Sequence, residues 1–268
     1  MLEIKQADFV RLSQFIQTNY GINLTQKKNL IEGRLGKTIV DKGFADFSEY
    51  VDHLLRTKNP EDIETLLNKV TTNHTYFMRE NTHFDFFQNT ILPELENNCQ
   101  SRNLGIWCAA SSTGEEPYTM SIILRDYFGK KPQKWDTRML ASDISRKVLN
   151  IAMKGTYAEE SLKEMPPAWK QKYFTKSAEG YTVIKEIRDN VIFKEFNLMD
   201  PIRFKMKFDC IFCRNVMIYF DQETKDALVQ RFYDYMNPGG FLLIGHSETL
   251  NKANSPFQYL MPATYRKV

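Results

Sequence analysis

The chain has 268 residues, 42% apolar and 26% charged, the proportions of an ordinary globular protein rather than a disordered or fibrous one. A net charge of +3 is far too small for a nucleic-acid binder, so any basic surface must be local. No apolar run approaches the roughly 18 residues of a membrane span, and Glu3, Lys5, Asp8 and Arg11 interrupt what would be a signal-peptide core; a soluble, cytoplasmic protein without membrane insertion is expected.

Residues 1 to about 98 carry helical periodicity. Phe9, Leu12 and Ile16 mark a first apolar face, and Leu30, Ile31 and Leu35 a second. Phe47, Tyr50, Val51, Leu54 and Leu55 form a third, and Ile63, Leu66, Leu67 and Val70 a fourth. Asn59-Pro60, Gly21 and Gly43 punctuate them. A fifth helix is predicted over Phe84, Phe87, Ile91 and Leu95.

After residue 103 the rhythm changes to alternating strands and helices. LGIWCAA, TRMLASD, VIFKEFN and KFDCIFCRN read as strands, with helices from Glu115 through Tyr127, over ISRKVLNIAMK and from Gln222 to Met236. NPGG is expected to be a turn, FLLIGHS a strand, and YLMPATYRKV one last strand. Such alternation implies an α/β fold with a doubly wound, mostly parallel sheet covered on both faces. Residues 155–190 interrupt it with Pro166-Pro167 and the alternating YTVIKEI, a small β-containing insertion. The expected domains are a helical one over 1–75 and an α/β one over 76–268.

Cys210 and Cys213 form a C-x-x-C that elsewhere signals zinc or redox chemistry. Here they lie on an apolar strand, where residues three apart point to opposite faces, and no second pair matches them. Buried free thiols are expected, and no metal.

Ligands of open α/β sheets bind at the carboxyl ends of the strands. Three strand ends here are unusually polar: AASSTGEEPYT (109–119), ASD (141–143) and CRNVMIYF (213–220). The first is no G-x-G-x-x-G, and Glu115 and Glu116 stand where a pyrophosphate would need positive potential. That disfavours a nicotinamide oxidoreductase and suits a cationic ligand such as S-adenosylmethionine; the other reading is that two glutamates decorate a helix first turn. Asp143 is placed to accept from ribose hydroxyls or, alternatively, to cap the next helix. Arg214, Asn215 and Tyr219 follow the fourth strand, and TTNHTYFMRE (71–80) is a polar linker between the domains.

Taken in order, TTNHTYFMRE, WCAASSTGEEPYT, ASDIS, FNLMD and FDCIFCRNVMIYF resemble the CheR family of chemotaxis receptor methyltransferases over nearly the whole chain. The resemblance implies a class I methyltransferase fold and an S-adenosylmethionine-dependent protein-glutamate O-methyltransferase, with S-adenosylhomocysteine as product and receptor cytoplasmic helices as partner. It implies cofactor contacts for Asn73, Thr75, Arg79, Glu116, Asp143, Asn197, Leu198, Arg214 and Asn215, and catalytic roles for Arg79 and Tyr219. Met78 departs from the family, where an aromatic residue often precedes the arginine. A non-catalytic receptor-binding module that kept the cofactor fold is the competing reading. Lys27, Lys28, Arg34 and Lys37 offer a basic stretch for acidic receptor helices. Family members that tether to a C-terminal receptor pentapeptide resemble one another in a longer loop within the insertion; TKSAEG (175–180) is short, so no such tether is expected.

Overall fold

A computed structural model describes residues 2–268. The chain divides into two compact units: the residues up to Asn73 with Tyr219–Thr224, and His74–Ile218 with Lys225–Val268.

The first unit is built from α1 (Gln6–Tyr20), α2 (Lys28–Asp41), α3 (Phe47–Thr57) and α4 (Pro60–Val70). Leu12, Ile16, Ile31, Leu35, Ile39, Phe47, Tyr50, Val51, Leu54, Leu66, Leu67 and Val70 are buried, so the faces with three- and four-residue spacing form its core. The ends are set by local chemistry. Gly21 closes α1 with φ 71°, and the Asn59 side chain accepts from the N–H groups of Glu61 and Asp62 ahead of Pro60. The segment Tyr219–Thr224 joins this core through an antiparallel bridge of Phe220 to Ile22 and a hydrogen bond from Gln17 to Asp221.

The second unit carries ten strands: β1 (Ile106–Ala109), β2 (Met139–Asp143), β3 (Thr156–Tyr157), β4 (Phe174–Ser177), β5 (Gly180–Val183), β6 (Val191–Glu195), β7 (Phe208–Cys213), β8 (Met236–Ile244), β9 (Gln258–Met261) and β10 (Thr264–Arg266). Seven form the main sheet in the order β6-β2-β1-β7-β8-β10-β9. Its first five members are parallel, and β10, next to the edge strand, runs antiparallel to both of its neighbours, β8 and β9. From β1 the chain builds outward first through β2 and β6, then through β7 and β8, so the switch point lies between β1 and β7.

The two faces of β1 bury different material. Trp107, fully buried, is ringed by Phe196, Phe204, Phe208 and Phe232 at 5.2–5.7 Å between centroids, and its indole N–H donates to Ser142. Ile106 and Cys108 join the opposite core with Phe84, Phe87, Cys210, Phe212 and Phe241. Cys213 lies outside that core, as the divergence of residues three apart requires, and all four cysteines are free.

The remaining helices of this unit are α5 (Asn81–Phe86), α6 (Leu92–Asn98), α7 (Glu115–Phe128), α8 (Arg146–Lys154), α9 (Pro167–Tyr173), α10 (Lys185–Arg188) and α11 (Gln222–Asp234), whose first turn belongs to the helical unit. The insertion is a separate antiparallel sheet, β3-β5-β4, in which only Ala178 and Glu179 connect β4 to β5.

Three sequence expectations need correction. The helix over Phe84–Leu95 is interrupted by a π-helical turn at Phe87–Ile91. Pro93 lacks the N–H that the Asn89 carbonyl would use in an α-helix, and the wider turn absorbs that loss. NPGG is not a free turn but part of β8, where a register irregularity faces Phe208–Cys210 and Asn237 donates to Asp209. The terminal stretch is two strands rather than one, joined by Pro262-Ala263, with Ala263 at φ 58°.

Candidate active site

The turn after β1 has little room for side chains and a contorted backbone. Ala110, Ser112 and Gly114 have φ of 62°, 48° and 98°. A Cβ on Gly114 would lie 2.8 Å from the Ala152 Cβ and 2.9 Å from the Tyr157 hydroxyl, so glycine is required both by conformation and by space. Tyr157, from the insertion, donates to the Thr113 carbonyl at 2.7 Å and holds this turn from outside.

Asp143 closes β2, half-buried. One carboxylate oxygen accepts from the Ser112 N–H at 2.9 Å and the other from the Ser145 N–H at 3.0 Å. Ser145, not Asp143, caps α8, its hydroxyl accepting from Val148. Burial raises the Asp143 pKa despite the opposing backbone hydrogen bonds from Ser145, Ser112 and Ile144. A carboxylate has about four acceptor positions, so these three hydrogen bonds leave capacity for a further hydroxyl. Phe196 donates its N–H to the Asp143 carbonyl, which brings Asn197 beside this strand end; Asn197 accepts from Met199 N–H, and the carbonyl of buried Leu198 accepts from Arg231.

At the end of β7, Arg214 forms the centre of the site. Its side chain is 1% exposed and bridges two carboxylates. It reaches Glu116 at 2.5 Å and Glu80 at 2.9 Å, donates to the Arg79 carbonyl at 2.5 Å, and lies over the Phe84 ring. The other Glu116 oxygen accepts from the Cys108 thiol. For Glu80, burial alone would raise the pKa; the Arg214 charge, with hydrogen bonds from Asn215, Arg214 and the His246 N–H, outweighs it and holds the group at about 2. Asn215, at φ 58°, donates its amide to Glu80 and its backbone N–H to Glu248. Glu248 also accepts from the N–H groups of Gly245 and Ile218, joining the ends of β7 and β8. A Cβ on Gly245 would crowd Asn215 and Glu248 at 2.5–2.9 Å.

Glu80, His83 and His246 place potential metal-ligand atoms within 4.8 Å of one another. Both Glu80 oxygens already accept hydrogen bonds, and the Arg214 cation would repel a metal ion, so the cluster is part of the arginine network. Burial, then the neighbouring Arg214 and His246 charges, lower the His83 pKa to about 4 and keep its imidazole neutral.

Glu116, Arg214, Asn215 and the Arg79 backbone are therefore in direct contact, with Asp143, Asn197 and Leu198 at the neighbouring strand ends. Thr75 is half-buried in the linker, and the Arg79 guanidinium donates to the His74 carbonyl at 2.8 Å. Asn73 and Tyr219 fall in the helical unit. Asn73 donates to Asn68, while the Tyr219 hydroxyl accepts from the Thr72 N–H at 2.9 Å and donates to its carbonyl at 3.2 Å, under the Lys27 ammonium. Sequence reasoning missed Glu80 and Glu248. Glu80 directly follows Arg79 in the linker motif, but only the fold brings it to Arg214, 134 positions away.

The donor set suits S-adenosylmethionine: a carboxylate with acceptor capacity for ribose, and two carboxylates on one guanidinium, a negative surplus that favours a cationic ligand. Residues 73–266 match the family model described as CheR methyltransferase, SAM binding domain, and residues 7–71 match CheR methyltransferase, all-alpha domain. A chemotaxis protein methyltransferase of Borreliella burgdorferi is 42% identical, with 99% of this chain and 96% of that protein covered. A probable chemotaxis protein methyltransferase of Rhizobium etli is 36% identical (94% and 96% covered), and the chemotaxis protein methyltransferase of Escherichia coli K12 is also 36% identical (96% and 89%). Among the described residues no helix is long and apolar enough to cross a membrane. The chain belongs to the CheR methyltransferase family and is an S-adenosylmethionine-dependent methyltransferase.

Proposed function

We propose that this enzyme methylates glutamate side chains on the cytoplasmic helices of methyl-accepting chemotaxis receptors, giving glutamate methyl esters for sensory adaptation. The observation that carries the reading is the Arg214 bridge to Glu116 and Glu80 at the switch point, in a chain whose relatives are named chemotaxis protein methyltransferases.

In this reading Asn73, Thr75, Arg79, Glu116, Asp143, Asn197, Leu198, Arg214 and Asn215 hold the cofactor, Asp143 through the ribose hydroxyls. When bound, S-adenosylmethionine supplies an electrophilic methyl group on a sulfonium. A glutamate side chain has a pKa of about 4.3 and arrives as a carboxylate, so no general base is needed. The chain's residues have to orient that carboxylate without protonating it and exclude water. Arg79 suits this, because its guanidinium stays charged and only one of its five donors is required by His74. Tyr219 adds a phenolic hydroxyl.

The reaction takes place in the cytoplasm, without nucleic acid. The start of α2 and its exposed face supply the docking charge, through the half-buried Lys27 and Lys28 and the exposed Lys37. Arg34 contributes less, since it donates to the carbonyls of Lys69 and Thr71. The two-residue link between β4 and β5 supports recruitment without a C-terminal pentapeptide tether; micromolar binding of such a peptide would refute that point. The test of the function is incubation with radiolabelled S-adenosylmethionine and receptor fragments. Base-labile label on glutamates is expected, and base-stable label or none sinks the reading.

A further inference from the structure

Glu80 has no cofactor role in the reading above, yet it organises the groups that do. One oxygen accepts from Arg214 Nε at 3.3 Å, Arg214 Nη2 at 2.9 Å and the His246 N–H at 3.1 Å; the other accepts from Asn215 Nδ2 at 3.1 Å. The backbone supports the same purpose. Met78 and Glu80 both adopt left-handed conformations, φ 63° and 57°, on either side of Arg79. Non-glycine residues persist there only where their surroundings over-determine them.

Arg214 contributes one positive charge to a cluster with two carboxylates, each side chain only 14% exposed. The cluster is left with one negative charge. Were Glu80 neutral, Arg214 would cancel Glu116 and the surplus would vanish. S-adenosylmethionine is a sulfonium cation, whereas the sulfur of its product S-adenosylhomocysteine is neutral, so this surplus acts on one ligand and scarcely on the other.

We infer that Glu80 is a positioning residue of the methyl-transfer site: it fixes Arg214 and Asn215, and it sets the negative charge that binds the sulfonium form of the cofactor. This rests on the reading that Glu116, Arg214 and Asn215 line the cofactor site. Calorimetry with S-adenosylmethionine and S-adenosylhomocysteine tests it on the wild type, Glu80→Gln, Glu80→Asp and Glu116→Gln, with thermal melting to select folded protein. Glu80→Gln should weaken S-adenosylmethionine on the order of tenfold more than S-adenosylhomocysteine. A folded Glu80→Gln that shifts both ligands by the same factor, or neither, overturns the inference. Glu80→Asp keeps the charge on a shorter arm and decides the matter if the glutamine variant does not fold. Both affinities should fall with their ratio kept at the wild-type value, and a collapsed ratio or two unchanged affinities overturn it. Glu116→Gln isolates the underlying reading: wild-type affinity for both ligands there removes the cofactor-site assignment, whatever Glu80 does.

Discussion

Two acidic regions flank the sheet switch point, and they treat buried carboxylates in opposite ways. Glu80, the residue before α5, is held at about 2, because the Arg214 guanidinium and two further donors, Asn215 and the His246 N–H, outweigh its burial. Glu115, in the first turn of α7, is pushed up to about 7 by burial, against a hydrogen bond from the Thr113 hydroxyl. A helix N-terminus favours anions, but by at most about 2 kcal/mol, and here it does not replace a cation. Burial decides that a carboxylate is perturbed; the presence of an opposite charge decides in which direction. The region built around Arg214 is therefore permanently charged, whereas the Glu115 turn changes charge near neutral pH.

The largest effect should come from erasing the difference. Arg214→Met leaves Glu80 and Glu116 buried without their cation and should destabilise the fold by about 3–5 kcal/mol in urea titrations. A loss below about 1 kcal/mol would mean the carboxylates are satisfied otherwise. The next test addresses Glu115. Its folded pKa, about 7, lies above the ordinary 4.5, so ionising it costs stability progressively as pH rises from about 4.5 to about 7. Glu115→Gln should therefore be neutral at pH 4 and stabilising by on the order of 2–3 kcal/mol at pH 8 in thermal melts. A gain that does not vary with pH would show that Glu115 is not the titrating group. Asp143→Ala sharpens the comparison from the ligand side: calorimetry should show about 1.5–3 kcal/mol less affinity for S-adenosylhomocysteine, and unchanged affinity removes Asp143 from the site. Smaller still, Arg79→Lys and Tyr219→Phe should each lower turnover on the order of tenfold with cofactor and receptor saturating, Arg79→Lys because it keeps the charge and loses the fork. Wild-type turnover in both would exclude them from the chemical step. Last, the rate at limiting receptor should fall a few-fold, at most about tenfold, between low and physiological salt, as for encounters steered by surface charge such as Lys27, Lys28 and Lys37; a flat profile would argue against that docking face.

Much of this architecture was legible without coordinates, and for definite reasons. Apolar residues three and four apart located α1 to α4, and short apolar runs located β1, β2, β6 and β7, because burial on a fixed period is a local property. The bulge in β8 and the π turn before Pro93 were not, since each is settled by what lies across the sheet or one turn back. The same divide runs through the site. Glu116, Asp143, Arg214 and Asn215 stand at strand ends, where the fold class alone directs attention. Glu80 and Glu248 do not: their partners come from distant positions, 134 residues away for Glu80 and Arg214 and 33 for Glu248 and Asn215, and neither pairing has a spacing to read.

The short return of the chain at Tyr219–Thr224 bears on how this enzyme can be cut or recombined. The helical unit is covalently discontinuous, so three peptide connections, after Asn73, Ile218 and Thr224, cross its border. A protease nicking only the linker near Asn73 would release no free N-terminal fragment from that unit's own packing, because Ile22–Phe220, Gln17–Asp221 and Thr72–Tyr219 would still hold the returning strap. Transplanting residues 1–73 alone from a relative would likewise replace one half of each of these pairs and leave the other. The unit of exchange is the helical bundle together with its six-residue strap.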